Sequence, residues 1–321
     1  MRARSILLVL ALGVATACAP DFDPASKIQS VRILATRADK PYAKPGDTIE
    51  LEMLATDARK DKTRPMSLFW IPAPCINPQG DAYYNCYPTF QATLKTGVDL
   101  TPQLVSGPKL TVHVPDDTLA HTGSTQGGTS FGTAVVFSMA CAGHVEFVGV
   151  SAASPQSIPF GCFDSGGQRL GPDDFVFAFS RMFVFADRQN KNPVIDAFTF
   201  DGQPVDLAAG ITIDHCATAN APASQRAPKC PTKPIDVAVP PESQEQDPSA
   251  GGRESLWVSY YLTDGKVKTD LRLLYDVQIG RVPKSEDDLE APAEAGEHTL
   301  WAVVHDNRGG VNWIQVPMHV R

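Results

Sequence analysis

The sequence predicts an all-β protein: two β-sandwich modules in tandem, stapled by disulfides. Three observations carry that expectation. Twenty-seven prolines and 24 glycines punctuate short runs rich in Val, Ile, Phe and Thr, and no long stretch holds the 3.6-residue period of a helix. The same layout of alternating runs, turns and a Trp-bearing segment occurs twice along the chain. Six of the seven cysteines fall into close pairs around loop-like sequence. At 321 residues there is room for two ordinary domains.

The chain opens with MRARS, continues as ILLVLALGVA from Ile6 to Ala15, and reaches the small residues Thr16 and Ala17. A basic start, a short apolar run and a small-residue processing site describe an export signal. The apolar run falls well short of the roughly 20 residues that a membrane-spanning helix needs. Ala15-Thr16-Ala17 fits a plain A-x-A-like cleavage site, but the cysteine that follows adds a second possibility. Ala15-Thr16-Ala17-Cys18 resembles the lipobox of bacterial lipoproteins, departing from it at Ala15, where Leu is usual. The resemblance implies a signal over residues 1–17, acylation of Cys18 as the first residue of the mature chain, and attachment to the membrane through its acyl chains. Residues 18–26 would be the tether, with Ala19 to Ser26 reaching at most about 28 Å when extended. Ala19 stands where an Asp would mark inner-membrane retention, which points to the outer membrane of a bacterial envelope.

With Cys18 given to lipid, an even set remains, as expected of a disulfide framework in an exported protein. Six cysteines allow many connectivities, and nearest-neighbour pairing is the expectation: Cys75 with Cys86, Cys141 with Cys162, and Cys216 with Cys230. No C-x-x-C or H-x-x-x-H spacing occurs, so no zinc or other metal site is expected. Removing Arg2 and Arg4 with the signal takes the formal charge from −8 to −10. An acidic chain without a basic cluster has no footprint for nucleic acid, nor a polybasic stretch for anionic lipid.

Along the body, a first sandwich is expected over 27–188 and a second over 189–321. IQSVRILATR (Ile28 to Arg37) alternates, turns at Pro45-Gly46-Asp47, and leads to TIELEMLAT, whose Ile49, Leu51, Met53 and Ala55 share a face. MSLFWI carries Trp70. FVFAFSRMFVF sets Phe175, Phe177, Phe179, Phe183 and Phe185 on one parity with Arg181 among them, which predicts a bulge near Ser180 or an exposed edge. ADRQNKNPVI, Ala186 to Ile195, joins the modules. It loosely resembles calcium-binding linkers of cadherin-like repeats, but Lys191 stands among the candidate ligands, and an ordinary polar linker is preferred.

The second module opens with NPVIDAFTFDGQPVDLAAGITIDH, turning at Asp201-Gly202 and at Gly210. Residues 217–254, rich in Pro, Ala, Ser and Gln, form a long loop in this expectation, partly closed by Cys216 and Cys230. SLWVSYYL carries Trp257. The chain closes on a hairpin, Leu300 to Val304 and Val311 to Val320 around the turn-rich His305 to Gly310, with Pro317 demanding an edge or a free side. Tandem Trp-bearing runs and closing strand pairs resemble the immunoglobulin-like class of sandwich, which makes the expected fold two immunoglobulin-like modules in tandem.

Candidate chemistry is sparse. GTSFG, Gly128 to Gly132, matches the G-x-S-x-G nucleophile elbow around Ser130, but polar sequence precedes it and a strand pattern follows where a helix should begin. No dinucleotide fingerprint, phosphate-cradling loop or paired metal-ligand histidines are found. No catalytic residue and no cofactor is therefore expected. Two functions remain. The first is a lipid-anchored envelope protein that binds or scaffolds, its partner another envelope protein or a glycan. The alternative is a secreted or tethered hydrolase with its site between the modules.

Overall fold

Period-two alternation becomes burial in the computed structural model of the chain, which describes residues 24–122, 124–126, 129–216, 230–247 and 251–321. Cys18 and the signal segment lie outside the described residues. The N-terminal half contributes β1 (Val31–Ala38), β2 (Tyr42–Ala43), β3 (Thr48–Asp57), β4 (Ser67–Trp70), β5 (Cys75–Ile76), β6 (Val105–Ser106), β7 (Lys109–His113), β8 (Ser124–Gln126), β9 (Thr129–Cys141), β10 (His144–Phe147), β11 (Phe160–Phe163) and β12 (Phe175–Val184). In β3, Ile49, Leu51 and Met53 are buried while Thr48 and Glu50 face solvent. β1-β3-β7 is one sheet. The other runs β2-β12-β9-β4-β6, with β2 parallel to β12 and the remaining neighbours antiparallel. In immunoglobulin lettering these are A-B-E against A′-G-F-C-C′, the two-sheet division of that fold.

The C-terminal half repeats the plan with β13 (Ala197–Phe200), β14 (Gln203–Pro204), β15 (Ile211–Ile213), β16 (Thr232–Ala238), β17 (Gln246–Asp247), β18 (Gly252–Arg253), β19 (Leu256–Leu262), β20 (Lys266–Val267), β21 (Leu271–Asp276), β22 (Gly280–Arg281), β23 (Asp287–Glu290), β24 (Gly296–Asp306) and β25 (Val311–Val320). One sheet is β14-β13-β16-β23-β20 and the other β15-β25-β24-β19-β21-β22. Here too a short strand, β15, pairs parallel to the last one. Asp201 and Gly202 both take positive φ, the two-residue geometry that matches strand twist in a tight hairpin. At Gly210 a Cβ would stand 2.3 Å from the Pro317 carbonyl oxygen, so β15 can approach β25 only because that residue is glycine. β15 reaches only Met318–Val320, so among the described strands β25 has no partner on that side up to Pro317, where the N–H is missing.

Two expectations are corrected, the second in part. The stretch 217–254 is not one loop: Thr232–Ala238 is β16, a central strand between β13 and β23. Its prolines obscure a period-two run in which Ile235, Val237 and Val239 are buried. Of the two alternatives near Ser180 the bulge is absent, because β12 pairs with β9 in unbroken register from Phe175 to Val184, and the open edge is present, since among the described strands β2 reaches only Phe183 and Val184. Arg181 is tolerated because it stays exposed and donates to the Asp81 carbonyl.

The phenylalanine face of β12 does not point into the sandwich. Met182 and Val184, of opposite parity, join Trp70, Ile49, Leu51 and Val136 in the core between the sheets. Phe177 stacks on Phe137 and Phe160, both at 5.5 Å, and Phe179 stacks on Tyr83 at 4.1 Å, on the outer face. That face is covered by a cap built from residues 71–104, including helix α1 (Tyr87–Thr93), and from the β10-β11 hairpin. Consequently β9 is buried on both sides, Ala134 and Val136 toward one core, Val135, Phe137 and Met139 toward the other. Disulfides Cys75–Cys86 and Cys141–Cys162 staple the cap, and Cys216–Cys230 joins the segment after β15 to the start of β16.

The tryptophans part company as well. Trp70 is fully buried and donates its indole N–H to the Gly107 carbonyl at 2.9 Å. Trp257 lies on the outer face of its sheet and stacks on His305, and Tyr260 fills the core of the second module. The two modules pack along β1. Ile28, Leu34 and Trp301 form a buried cluster with Leu54 and Tyr261, and Arg37 bonds Asn312 at 2.6 Å while lying 4.4 Å over the Trp313 ring.

Candidate functional site

One arginine, which the sequence offered only as part of a turn, fastens the linker to the second module and lies 5.4 Å over the Tyr42 ring of the first. Between β24 and β25, Asp306 Oδ1 accepts from the backbone N–H groups of Arg308 and Gly310, both at 2.7 Å, and this tight turn aims Arg308 inward. Arg308 is 4 % exposed. Its Nη1 donates to the Gln246 carbonyl at 2.6 Å, and its Nη2 donates to the Gln189 carbonyl at 3.1 Å and to Glu245 at 3.0 Å. Nε donates to Asn190 Oδ1 at 3.1 Å and lies 3.2 Å from Glu254. Asn190 in turn donates to Asp306 at 3.0 Å. Two linker oxygens, the Gln189 carbonyl and Asn190 Oδ1, therefore meet a guanidinium, a fixed internal cation with five donors in a planar fork, while Asn192 Oδ1 accepts from the Val311 N–H.

Three carboxylates, Glu245, Glu254 and Asp306, surround that single positive charge. Burial, and then the charge of Asp306, push the Glu254 carboxyl up to about 7. On the outer face of the same strand, against Trp257, burial pulls His305 down to about 4. The two act on stability with opposite signs. An acid with a raised folded value stabilises the fold below its free value, 4.5, and that contribution is lost as pH rises toward 7. A histidine with a depressed folded value contributes above 6.5, and that is lost as pH falls toward 4. Relative to the wild type, Glu254→Gln should therefore gain Tm on going from pH 4.5 to 7, and His305→Phe should lose it. Thermal melts at the two pH values test this; a pH-independent difference for Glu254→Gln would mean that Glu254 titrates in the fold as it does in the unfolded chain.

A cleft of about 790 Å³ opens between the modules beside the N-terminal segment, one place where a hydrolytic site between modules could lie. Asp173 and Asp174 stand on one wall, Asp264 and Glu294 on the other. Asp174 is held by Arg59 at 2.5 Å and Arg64 at 3.3 Å. Hydrogen bonds from Arg59 keep Asp57 below the usual carboxylate range. Burial pushes Asp264 up, but the backbone N–H groups of Gly265 and Glu294, with Lys27 at 3.4 Å, outweigh it and hold that carboxyl down. Asp174 and Asp264 are thus engaged in ion pairs rather than set apart as acid and base. Ser130 lies within β9 opposite Thr125, and the strand runs on to Cys141 with no helix after it; Gly128 lies outside the described residues. The elbow geometry needs a strand, a sharp turn and a helix, and the described part of GTSFG is a continuous strand.

A different concavity lies in the cap. A pocket of about 540 Å³ opens between α1, the Ile71–Ile76 segment that carries Pro72 and Pro74, and residues 100–104. Its floor is made by Cys86, Leu100 and Phe160, which are almost completely buried, and its walls by Phe90, Leu94 and Leu104. Thr89, Thr93 and Gln103 are its exposed polar residues. None of the residues lining it is charged. No motif marks the pocket, because its walls come from an insertion between strands C and C′ and from the hairpin inserted before strand G.

No protein-family model matches the chain, and no curated protein matches it. Among solved structures it is similar to the tandem Ig repeats of Dlar, at 8% identity and a TM-score of 0.24 over 91% of this chain and 98% of that one. It is also similar to domains 4 and 5 of the S-layer protein SbsC, at 9% identity and a TM-score of 0.19 over 90% and 98% of the two chains. The YadV chaperone matches at 10% identity and a TM-score of 0.22 over 90% and 100%. At those scores the superpositions add nothing to the fold assignment, which stands on strand order.

Proposed function

We propose that this protein is a lipid-anchored component of the bacterial cell envelope, a binding or scaffold protein with no catalytic role. Residues 27–188 and 189–321 would be its two modules. Acylated Cys18 would hold it at the outer membrane, and another envelope protein or a glycan would be its partner. The observation that carries the proposal is where the chain enters the fold. Ile28 donates its N–H to the Leu262 carbonyl at 2.7 Å, and Leu262 donates to the Ser26 carbonyl at 2.8 Å, so the segment leading back to Cys18 is pinned at the module joint. With the start of the linker fastened to the second module by Arg308 and the modules packed through the apolar cluster around Trp301, a short tether there would hold both modules close to a bilayer. Three disulfides fit an oxidising compartment. Among the described residues no helix is long and apolar enough to cross a membrane.

Crosslinking in intact cells, comparing the native protein with a Cys18→Ser form carrying a cleavable secretion signal, tests the proposal. A partner recovered with the tethered form alone is the expected result, together with an intact mass showing an acylated chain that starts at Cys18. An unmodified N-terminus elsewhere would end the anchor, and no partner with either form would end the scaffold role.

A further inference from the structure

We propose that the cap pocket binds an uncharged, predominantly apolar small molecule, with the molecule's polar end at Thr89, Thr93 and Gln103. The inference rests on the protein being a binding module, and it names what one part of that module binds. It does not depend on the anchor.

Four features point to such a ligand. The pocket's volume, about 540 Å³, falls within the roughly 300–1,000 Å³ typical of small-molecule sites. Its depth runs from exposed helix residues to side chains of the second core, since Leu100 and Phe160 belong to the cluster that covers the outer face of β9. Its lining carries no charge in a chain that is 20% Asp, Glu, Lys and Arg, so a buried ionic group would find no partner there. Its shape is also held in advance. The Cys75–Cys86 disulfide ties the proline-containing wall to the start of α1, and Pro72 and Pro74 restrict that wall further. A preformed site spends little of its binding energy on ordering its own walls.

The secreted Cys18→Ser form retains every described residue and avoids detergent. Titrated with N-phenyl-1-naphthylamine, a neutral fluorescent apolar probe, it should show saturable binding of one probe per chain. Two substitutions should each weaken that binding about tenfold or more: Leu94→Glu, which sets a charge in the wall, and Thr93→Phe, which fills the mouth from an exposed helix position. Thr93→Phe should leave Tm unchanged, so it decides the matter if Leu94→Glu fails to fold. The anionic analogue 8-anilinonaphthalene-1-sulfonate should bind about tenfold more weakly than the neutral probe. Non-saturable binding, or equal affinity in Thr93→Phe and the parent, would overturn the site; equal affinity for the two probes would overturn the uncharged class. A failed probe titration beside a successful crosslink would remove this ligand and leave the scaffold role standing.

Discussion

Arg308→Met is expected to cost about 3–5 kcal/mol and to lower Tm by roughly 10 °C. Arginine at that position satisfies two backbone carbonyls, Asn190 and two glutamates from segments that otherwise have no common element. Methionine fills similar space but removes the buried cation between Glu245, Glu254 and Asp306, leaving Glu245 only the exposed Lys191 at 3.9 Å. Glu254 suffers most, because it has no solvent exposure through which to be rehydrated. Breaking a buried pair from one side costs more than the pair contributes, since the surviving charge stays buried. The loss should be local at first, with limited proteolysis cutting within Ala186 to Ile195 sooner than in the wild type. Adding Glu254→Gln to Arg308→Met should recover part of the loss, because it removes one of the stranded charges. A Tm within about 2 °C of the wild type, which by size scaling is under about 1 kcal/mol, would show that the joint does not depend on this arginine.

Replacing Cys141 and Cys162 together by alanine is expected to cost about 3 kcal/mol, the chain-entropy value for a bridge spanning 21 residues. Both cysteines are buried in the second core, and the bridge ties the end of β9 to the β10-β11 hairpin. The cap should loosen before the sandwich does. Hydrogen exchange should therefore quicken in β10, β11 and α1 while Trp70 and the strands around it stay protected. Cys216 and Cys230 both belong to the second module, so their removal should leave the first module's exchange untouched. Uniform loss of protection across the first module would mean that cap and sandwich form one cooperative unit.

Local patterns made much of this protein legible in its sequence. Alternation in TIELEMLAT, the Asp201-Gly202 turn and the Leu300–Val320 hairpin each express a rule that operates within a few residues, and each appears in the fold. The close spacing of the cysteines belongs to the same class of signal. Where alternation met interference, legibility fell: Pro234 and its neighbours hid β16, although Ile235, Val237 and Val239 alternate correctly.

What the tertiary structure decided is where opposite faces go and which distant groups meet. Parity shows that the phenylalanines of β12 share a side, but both faces of the β12-β9 sheet are covered, so alternation alone cannot say which one is the sandwich core. Met182 and Val184 take that place, and the aromatic face receives the cap and its pocket instead. Arg308 reads as one residue of a polar turn, because its partners at 189, 190, 245, 246 and 254 are joined only by folding. Sequence determines a side chain's chemistry and its local direction. Whether an arginine ends in solvent or at the centre of a buried joint depends on backbone atoms more than 50 residues away, and only packing brings those together.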